Sequence, residues 1–565
     1  MLKISRGAWL AAAAFALAMF VVYIVPRALS MLVPSDILYL PVLVFFSFYR
    51  MLAAFALSVV FSLVYGYYAA TNERLAKVLL PLLDILQSVP ILGFFPAAVF
   101  VLINTFHGSV IGIELAAIFL IFTSMAWNMT FGVYESIKTV PEELEQAVSS
   151  LGNRRFRYFK VLLLPACMPK LIYNSTVSWA IGWFFLVASE IISLGSSKNS
   201  LPGIGSYLVQ TIARGDIAHA LAGFAMLATL IIAMEFFLWR PLVIWAEKFK
   251  YDSVSGARPK SRVYRYVKYS PFFIRVRLWI SAGFDAMTEF LEDAYEWIME
   301  KRSAGAGKIA YYAVKWGAAA IAAYIAFGVI TDVAKLAFSI ITEPLPQKAF
   351  LIPAALAASF AKLMAAYAIS LAWTLPTAIV LARREGLESK LLPALEVIAS
   401  VPATALFPFF ILASLALTGD ILLATMALIL AGMQWYLLFN AIAGAKNMPN
   451  DFNEVSGVFH IRGWLYYRKV LLPAMIPSLI TGSITAIGGG WNALVVAEYL
   501  EYGGKTYTSF GIGSLLSEAT YKLGDIKLIA LTLVAMTLVI VLLNRLVWRP
   551  LYAYSTRIYR LDATK

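Results

Sequence analysis

The chain holds few residues whose types and spacing could do chemistry, and the nearest approaches fail on spacing. Gly503-Gly-Lys-Thr506 matches the end of a phosphate-binding loop, but the leading glycine of that loop would fall at position 499, which is Tyr499. Gly307-Lys308 is followed by Ile309 and fails as well. ATP hydrolysis by this chain itself is therefore not expected. His107, His219 and His460 lie far apart and Cys167 is the single cysteine, so no catalytic site, metal site or internal disulfide is predicted. What remains is a set of polar residues inside apolar runs: Asp84, Glu396, Glu190, Glu498 and Asn492. An ionisable group at membrane depth costs about 2.5–3.5 kcal/mol on insertion scales, so each needs a partner or a role. Two roles stay open for the carboxylates, pairing within a helix bundle and lining a solute path. A carboxylate repels an anion unless protonated, so Trp183, Trp491 and Asn492 are better candidates to line a path, with interhelical packing as their alternative. Pro90, Pro96, Pro402 and Pro408 would break helices beside such a path or kink them in the core.

These residues must be carried by membrane-spanning helices. The chain has 565 residues, 61% hydrophobic and 14% charged, against about 45–50% apolar and about 25% charged in soluble domains. Runs such as Trp9–Ile24 and Leu221–Phe237 approach the length that lets a helix satisfy its backbone across lipid. The fold class is an all-α polytopic membrane protein. The basic flank at Met1–Gly7 resembles that of a signal peptide, but its apolar run is long and lacks a convincing cleavage site, so it reads as the first span. A net charge of +14 fits Lys and Arg gathered in loops on the cytoplasmic face, and no basic, aromatic-interleaved module suggests a nucleic-acid partner.

The chain also contains itself twice. Arg50-Met-Leu-Ala-Ala-Phe-Ala-Leu-Ser58 lies over Lys362-Leu-Met-Ala-Ala-Tyr-Ala-Ile-Ser370, and the same shift places Pro81, Pro90 and Pro96 over Pro393, Pro402 and Pro408. A slightly shorter shift aligns Pro141 with Pro449, Pro165 with Pro473, Trp183 with Trp491 and Glu190 with Glu498. Gly203-Ile-Gly-Ser206 then meets Gly511-Ile-Gly-Ser514, and Trp239-Arg-Pro-Leu242 meets Trp548-Arg-Pro-Leu551. Residues 1–246 form the first half, 247–308 a linker and 309–565 the second half. Spans are expected near 8–29, 41–70, 80–104, 112–133, 171–193 and 219–245, then near 309–340, 351–382, 392–417, 420–443, 478–500 and 525–547, about 12 in all. The segment 138–170 carries Lys138, Arg154, Arg155, Arg157, Lys160 and Lys170, whereas 104–113 has no Lys or Arg. The first therefore faces the cytoplasm, and both termini with it. The linker is basic from Lys248 to Arg277, then amphipathic, with Asp285, Glu289 and Glu292 opposite Met287, Phe290 and Leu291. It suits a tether with affinity for anionic lipid, or a contact with a cytoplasmic partner.

Between the fourth and fifth spans of each half lies a polar segment, 138–170 and 446–477. Pro141-EELEQAVSSLGNRRFRYFKVLLLPACMP and Pro449-NDFNEVSGVFHIRGWLYYRKVLLPAMIP both open on proline and acidic residues, which suit a helix start, and close on Leu-Leu-Pro. Both resemble the "EAA" loop of binding-protein-dependent ABC importer permeases, E-A-A-x3-G-x9-I-x-L-P. In the first half the pattern falls on Gln146-Ala147-Val148, Gly152, Leu162 and Leu164-Pro165. In the second it falls on Glu454-Val455-Ser456, His460, Val470 and Leu472-Pro473. Half one departs at the glutamate and half two at the glycine, where His460 should bend the chain less readily. Gln87-Ser-Val-Pro90 and Phe95-Pro96, with Ser400-Val-Pro402 and Phe407-Pro408, are similar to the nitrate/sulfonate/taurine-type members of that group.

The resemblance implies two homologous six-helix permease halves of the type I ABC fold in one chain. It implies that the chain is a transport subunit and not an enzyme. Two copies of a separate ABC ATPase, which carry ATP and Mg, would dock on the cytoplasmic side. No cofactor is expected in the chain itself. Coupling would fall to Glu142, Glu145, Gln146, Ala147, Gly152, Leu164, Pro165, Asp451, Glu454, His460, Leu472 and Pro473. An extracytoplasmic binding protein would deliver a small solute, anionic if the nitrate/sulfonate/taurine likeness holds, to a permease in the cell (inner) membrane. Iron, thiamin and phosphonate remain alternative solutes. A secondary transporter or channel is the competing class, and it would have no use for two docking loops.

Overall fold

The computed structural model describes residues 39–249 and 338–558, apart from 89–90, much of 96–108, 151–157, 197–200, 447, 449 and 503–504, with scattered positions between 250 and 337. The spans expected near 8–29 and 309–340, Pro90, Pro96, Gly152 and most of the linker lie outside the described residues. So do the side chains of Asp84 and Asp451.

The described chain is helical. In order it forms α1 (Leu40–Thr71), α2 (Glu73–Ser88), α3 (Val110–Lys138), α4 (Glu142–Ser150), α5 (Leu164–Ser196), α6 (Ile204–Ala213), α7 (Ile217–Met234) and α8 (Arg240–Ala246). The second half repeats this as α9 (Ile352–Arg383), α10 (Glu385–Ser400), α11 (Ala403–Thr418), α12 (Leu422–Lys446) and α13 (Asn450–Val458). It continues with α14 (Leu472–Ala497), α15 (Ile512–Glu518), α16 (Ile526–Leu543) and α17 (Arg549–Ile558). Eight helical runs among the described residues are long and apolar enough to cross a membrane, and a ninth candidate is a broken pair within 394–418.

Local sequence explains the ends. α1 starts with Pro41 in its first turn and stops at Asn72, whose Oδ1 accepts from the N–H groups of Arg74 and Leu75 at 3.0 and 3.2 Å and so starts α2. The break in the third span of the second half falls at Val401-Pro402, where the chain turns by 80°. A residue before proline is pushed out of the α region, and Val401 is extended at φ −75°, ψ 124°. Pro408, unlike Pro402, does not break a helix but sits buried within continuous α11. Among the described residues the one β element is a hairpin, Tyr499–Tyr502 paired antiparallel with Lys505–Thr508. Lys505-Thr506 therefore lies in a strand, not in a loop leading into a helix.

Contacts divide the chain into two compact units. One holds 136–172 and 233–346 with the N-terminal 33 residues, and the other holds 34–135, 173–232 and 347–565. The larger unit thus contains spans from both sequence halves, and it is built on small residues at four-residue spacing. Ala54, Ser58, Ser62 and Gly66 form one stripe of α1 against α3. Ser58 and Ser62 donate to the carbonyls of Phe122 and Ala126, and a Cβ on Gly66 would strike Val133. The repeat carries the same stripe: Ala366, Ser370, Thr374 and Ala378 are buried on α9, which packs on α12. Without a hydrophobic drive between helices in lipid, such close backbone approach supplies the van der Waals contact that holds spans together.

Among the described residues four helices run on through a π-turn, at Phe159–Leu163, Glu235–Trp239, Tyr467–Leu471 and Asn544–Trp548. The first and third are repeat-equivalent, as are the second and fourth.

Candidate functional site

Glu190 and Glu498, predicted at the ends of the fifth spans, are fully buried and organise two equivalent clusters. In the first half the Glu190 carboxylate accepts from Ser47 Oγ at 2.7 Å, Arg50 Nη1 at 2.7 Å and the Gly205 N–H at 2.8 Å. Ser47 Oγ in turn accepts from the Ile204 N–H at 3.0 Å. The N–H groups at the start of α6, which have no partner within the helix, are thus met by a carboxylate and a hydroxyl. Arg50 also grips Glu114 through Nε and Nη2, both at 2.7 Å. In the second half Glu498 accepts from Ser359 Oγ at 2.6 Å, Lys362 Nζ at 2.6 Å and the Gly513 N–H at 2.7 Å, while Ser359 accepts from the Ile512 N–H at 2.8 Å. The glycines at 203 and 511 are required by space: a Cβ on either would run into the carboxylate.

The clusters differ in one partner. Leu422 stands at the position equivalent to Glu114. Lys362 spends its remaining donors on Ser509 Oγ at 3.0 Å and the Phe510 carbonyl at 2.9 Å, at the end of the hairpin. Sequence reasoning missed Arg50, Lys362, Ser47, Ser359 and Glu114 as partners. The signal was present, since Arg50 and Lys362 are cations in aligned apolar runs.

A second site lies where the two halves meet inside the larger unit. The Leu92 N–H donates to Asn492 Oδ1 at 3.2 Å, and Thr404 Oγ1 donates to the Phe184 carbonyl at 3.0 Å. The repeat makes these one contact seen twice, because Leu92 matches Thr404 and Phe184 matches Asn492. In each case a residue just past the third-span proline reaches the fifth span of the other half. Below Asn492 on the same face of α14 stand Gly488, Thr485 and Thr481, all exposed. The matching face of α5 carries Phe184, Ala180, Val177 and Tyr173. Trp183 and Trp491 flank these faces but are fully buried, Trp183 edge-on to Trp179. Pro402 marks the bend beside this contact, whereas Glu396 is exposed on α10.

The third set is the pair of polar segments. α4 follows Pro141 and gathers Glu142, Glu143 and Glu145 in its first turn, where the helix dipole favours them. Glu145 accepts from Tyr158 Oη at 3.0 Å, and Glu142, Glu143, Gln146 and Ala147 are exposed. In the second half Ile461, Tyr466 and Leu471 pack into a core with Leu438, Ala441 and Met475. Phe452, Val455, Val458 and Phe459 face outward instead, Val458 and Phe459 at 76% and 71% exposure, together with Glu454. Leu164, Pro165, Leu472 and Pro473 begin α5 and α14 directly after the π-turns.

His460 resolves the departure from the motif. Its φ is +54°, and the His460 and Ile461 N–H groups donate to the Gly457 and Ser456 carbonyls. This is a Schellman ending with His460 at the left-handed position, which explains why the motif places glycine there. The residue does bend the chain, at a steric cost that the contact of its Nδ1 with the Gly457 carbonyl at 3.1 Å offsets in part. His460→Gly is expected to stabilise the fold by about 1 kcal/mol. A thermal melt no higher than that of the parent would count against this.

Among the described residues no cluster of three or more His, Cys, Asp or Glu could hold a metal ion. Comparison with known proteins agrees with the duplicated plan. The family model for the binding-protein-dependent transport system inner membrane component matches twice, over residues 60–238 and 374–549. The nitrate import permease protein NrtB of Leptolyngbya laminosa is 36% identical over 155 residues, 27% of this chain and 52% of that protein. The bicarbonate transport system permease protein CmpB of Synechococcus elongatus is 34% identical over 113 residues, 20% and 38%. The taurine transport system permease protein TauC of Escherichia coli is 27% identical over 188 residues, 33% and 62%. The chain thus spans between 38% and 62% of the length of these relatives. With the family's domain found once in each half and together covering most of the chain, the protein belongs to the inner membrane permease components of binding-protein-dependent transport systems.

Proposed function

We propose that the chain forms both halves of the membrane channel of an ATP-driven importer. Two ATPase subunits, carrying ATP and Mg, dock on the segments 138–170 and 446–477 on the cytoplasmic side. A binding protein delivers the solute from outside, and both termini face the cytoplasm. The observation that carries this reading is the recurrence of a short, outward-facing helix, α4 and α13, at the same place in both halves, each lying in the segment that leads to a π-turn and a fifth span. A carrier driven by an ion gradient has no use for such a pair.

The solute is a small anion of the nitrate, bicarbonate or sulfonate kind, in keeping with the relatives, and it crosses between the halves. The contacts through Asn492 and Phe184 support that path. Arg50 and Lys362 are committed to carboxylates. The polar groups offered to a solute therefore come from neutral side chains, Asn492, Thr485 and Thr481, on the second half. Neutral partners bind an anion weakly enough to let it leave.

Proteoliposomes with the chain, its ATPase and its binding protein should take up nitrate, bicarbonate or taurine only with ATP. Uptake by the chain alone along an ion gradient would overturn the reading.

A further inference from the structure

We propose that Pro165, Pro241, Pro473 and Pro550 are positioning residues of transport: each fixes a π-turn, and the four turns are the pivots on which the fifth and sixth spans swing. The inference rests on the ATPase reading above and assigns it a mechanical basis. In every case the turn is closed by the N–H of the residue just before the proline. Leu164 donates to the Phe159 carbonyl, Arg240 to Glu235, Leu472 to Tyr467 and Arg549 to Asn544. Proline has no N–H of its own, and its ring crowds the carbonyl four residues back. Widening the preceding turn by one residue moves that carbonyl aside while the helix continues.

Proline alone does not produce this. Pro81, Pro376, Pro408 and Pro477 also lie inside helices, and none of them directly follows a π-turn. A fifth π-turn, Ala519–Leu523, ends a helix at Gly524 without a proline. The four proline-sealed turns therefore occupy chosen positions, kept in both halves. One pair joins the segments that bear α4 and α13 to the fifth spans. The other lies near the ends of the sixth spans, and in the second half that turn and α17 pack against α14. A turn with one residue too many can tilt or rotate without interrupting the helix, so displacement of a docked helix enters the span there.

The test uses the complete transporter in proteoliposomes. Pro241→Ala with Pro550→Ala lies outside the docking segments and should retain the bound ATPase and its ATP hydrolysis, while solute moved per ATP falls several-fold. Pro165→Ala with Pro473→Ala should lower the same ratio. An unchanged ratio in both double variants overturns the proposal. Absence of ATP-driven uptake by the parent protein would instead overturn the importer reading. Should the variants not fold, amide exchange in the parent protein decides. Exchange across 159–164, 235–240, 467–472 and 544–549 is expected to change on adding ATP, and identical exchange with and without ATP overturns the pivots.

Discussion

Arg50→Met is expected to destabilise the protein by about 3–5 kcal/mol, the range seen when one partner of a buried ion pair is removed. The side chain is fully buried and binds Glu114 and Glu190 together, so its loss strands two carboxylates. Arg50→Lys should recover part of this. An ammonium can serve Glu190 but lacks the fork that grips both oxygens of Glu114. The second half shows how the protein accommodates a lysine at this position. Lys362 stands where Arg50 stands, Leu422 removes the second carboxylate, and the ammonium places its donors on Glu498, Ser509 and Phe510. The double variant Arg50→Lys, Glu114→Leu copies that arrangement and should melt well above Arg50→Lys alone, with a coupling of roughly 0.5–3 kcal/mol. Thermal unfolding in detergent measures both differences. A double variant no more stable than Arg50→Lys would show that Glu114 is not what makes arginine necessary.

The same cluster marks the limit of what the sequence revealed. The repeat disclosed the halves, the order of the spans, and the equivalence of Glu190 with Glu498, because each is a property of the chain read along its length. The partners of those glutamates were hidden because they are not local: Arg50 and Glu190 lie on different helices, brought together by the small-residue faces of α1 and its neighbours. Pro402 and Pro408 looked alike in sequence. The structure separates them: the residue before Pro402 is extended, while Pro408 sits inside a helix that bears its missing donor. His460 was expected to resist a bend that it nevertheless makes. The hydrogen bonds closing α13 hold it in the left-handed region and outweigh its side-chain preference. Tyr499–Thr508 resembled a phosphate loop only through its Gly-Gly-Lys-Thr string; strand pairing, visible only in three dimensions, gives it another structure.

On the proposed importer reading, α4 and α13 are expected to engage ATPase subunits by different physics. α13 and its end expose Phe452, Val455, Val458 and Phe459, an apolar surface in a segment otherwise polar. α4 exposes Glu142, Glu143 and Gln146. If both hold an ATPase, the second contact is driven by burial and the first by charge. Val455→Asp with Phe459→Asp should then remove the apolar anchor. Each anchor lost costs about 2 kcal/mol or more when it is a hot spot, roughly a 30-fold loss of affinity. The ATPase that remains bound would be held through the acidic helix α4, and screening would release it as ionic strength rises from low to physiological. The parent protein should hold its ATPase across the same range, because burial of apolar surface is not weakened by modest salt. Capture of ATPase by the tagged chain over a salt series separates the cases. A double variant that captures as much ATPase as the parent would remove α13 as an anchor. Residual capture indifferent to salt would show that α4 does not bind through its carboxylates.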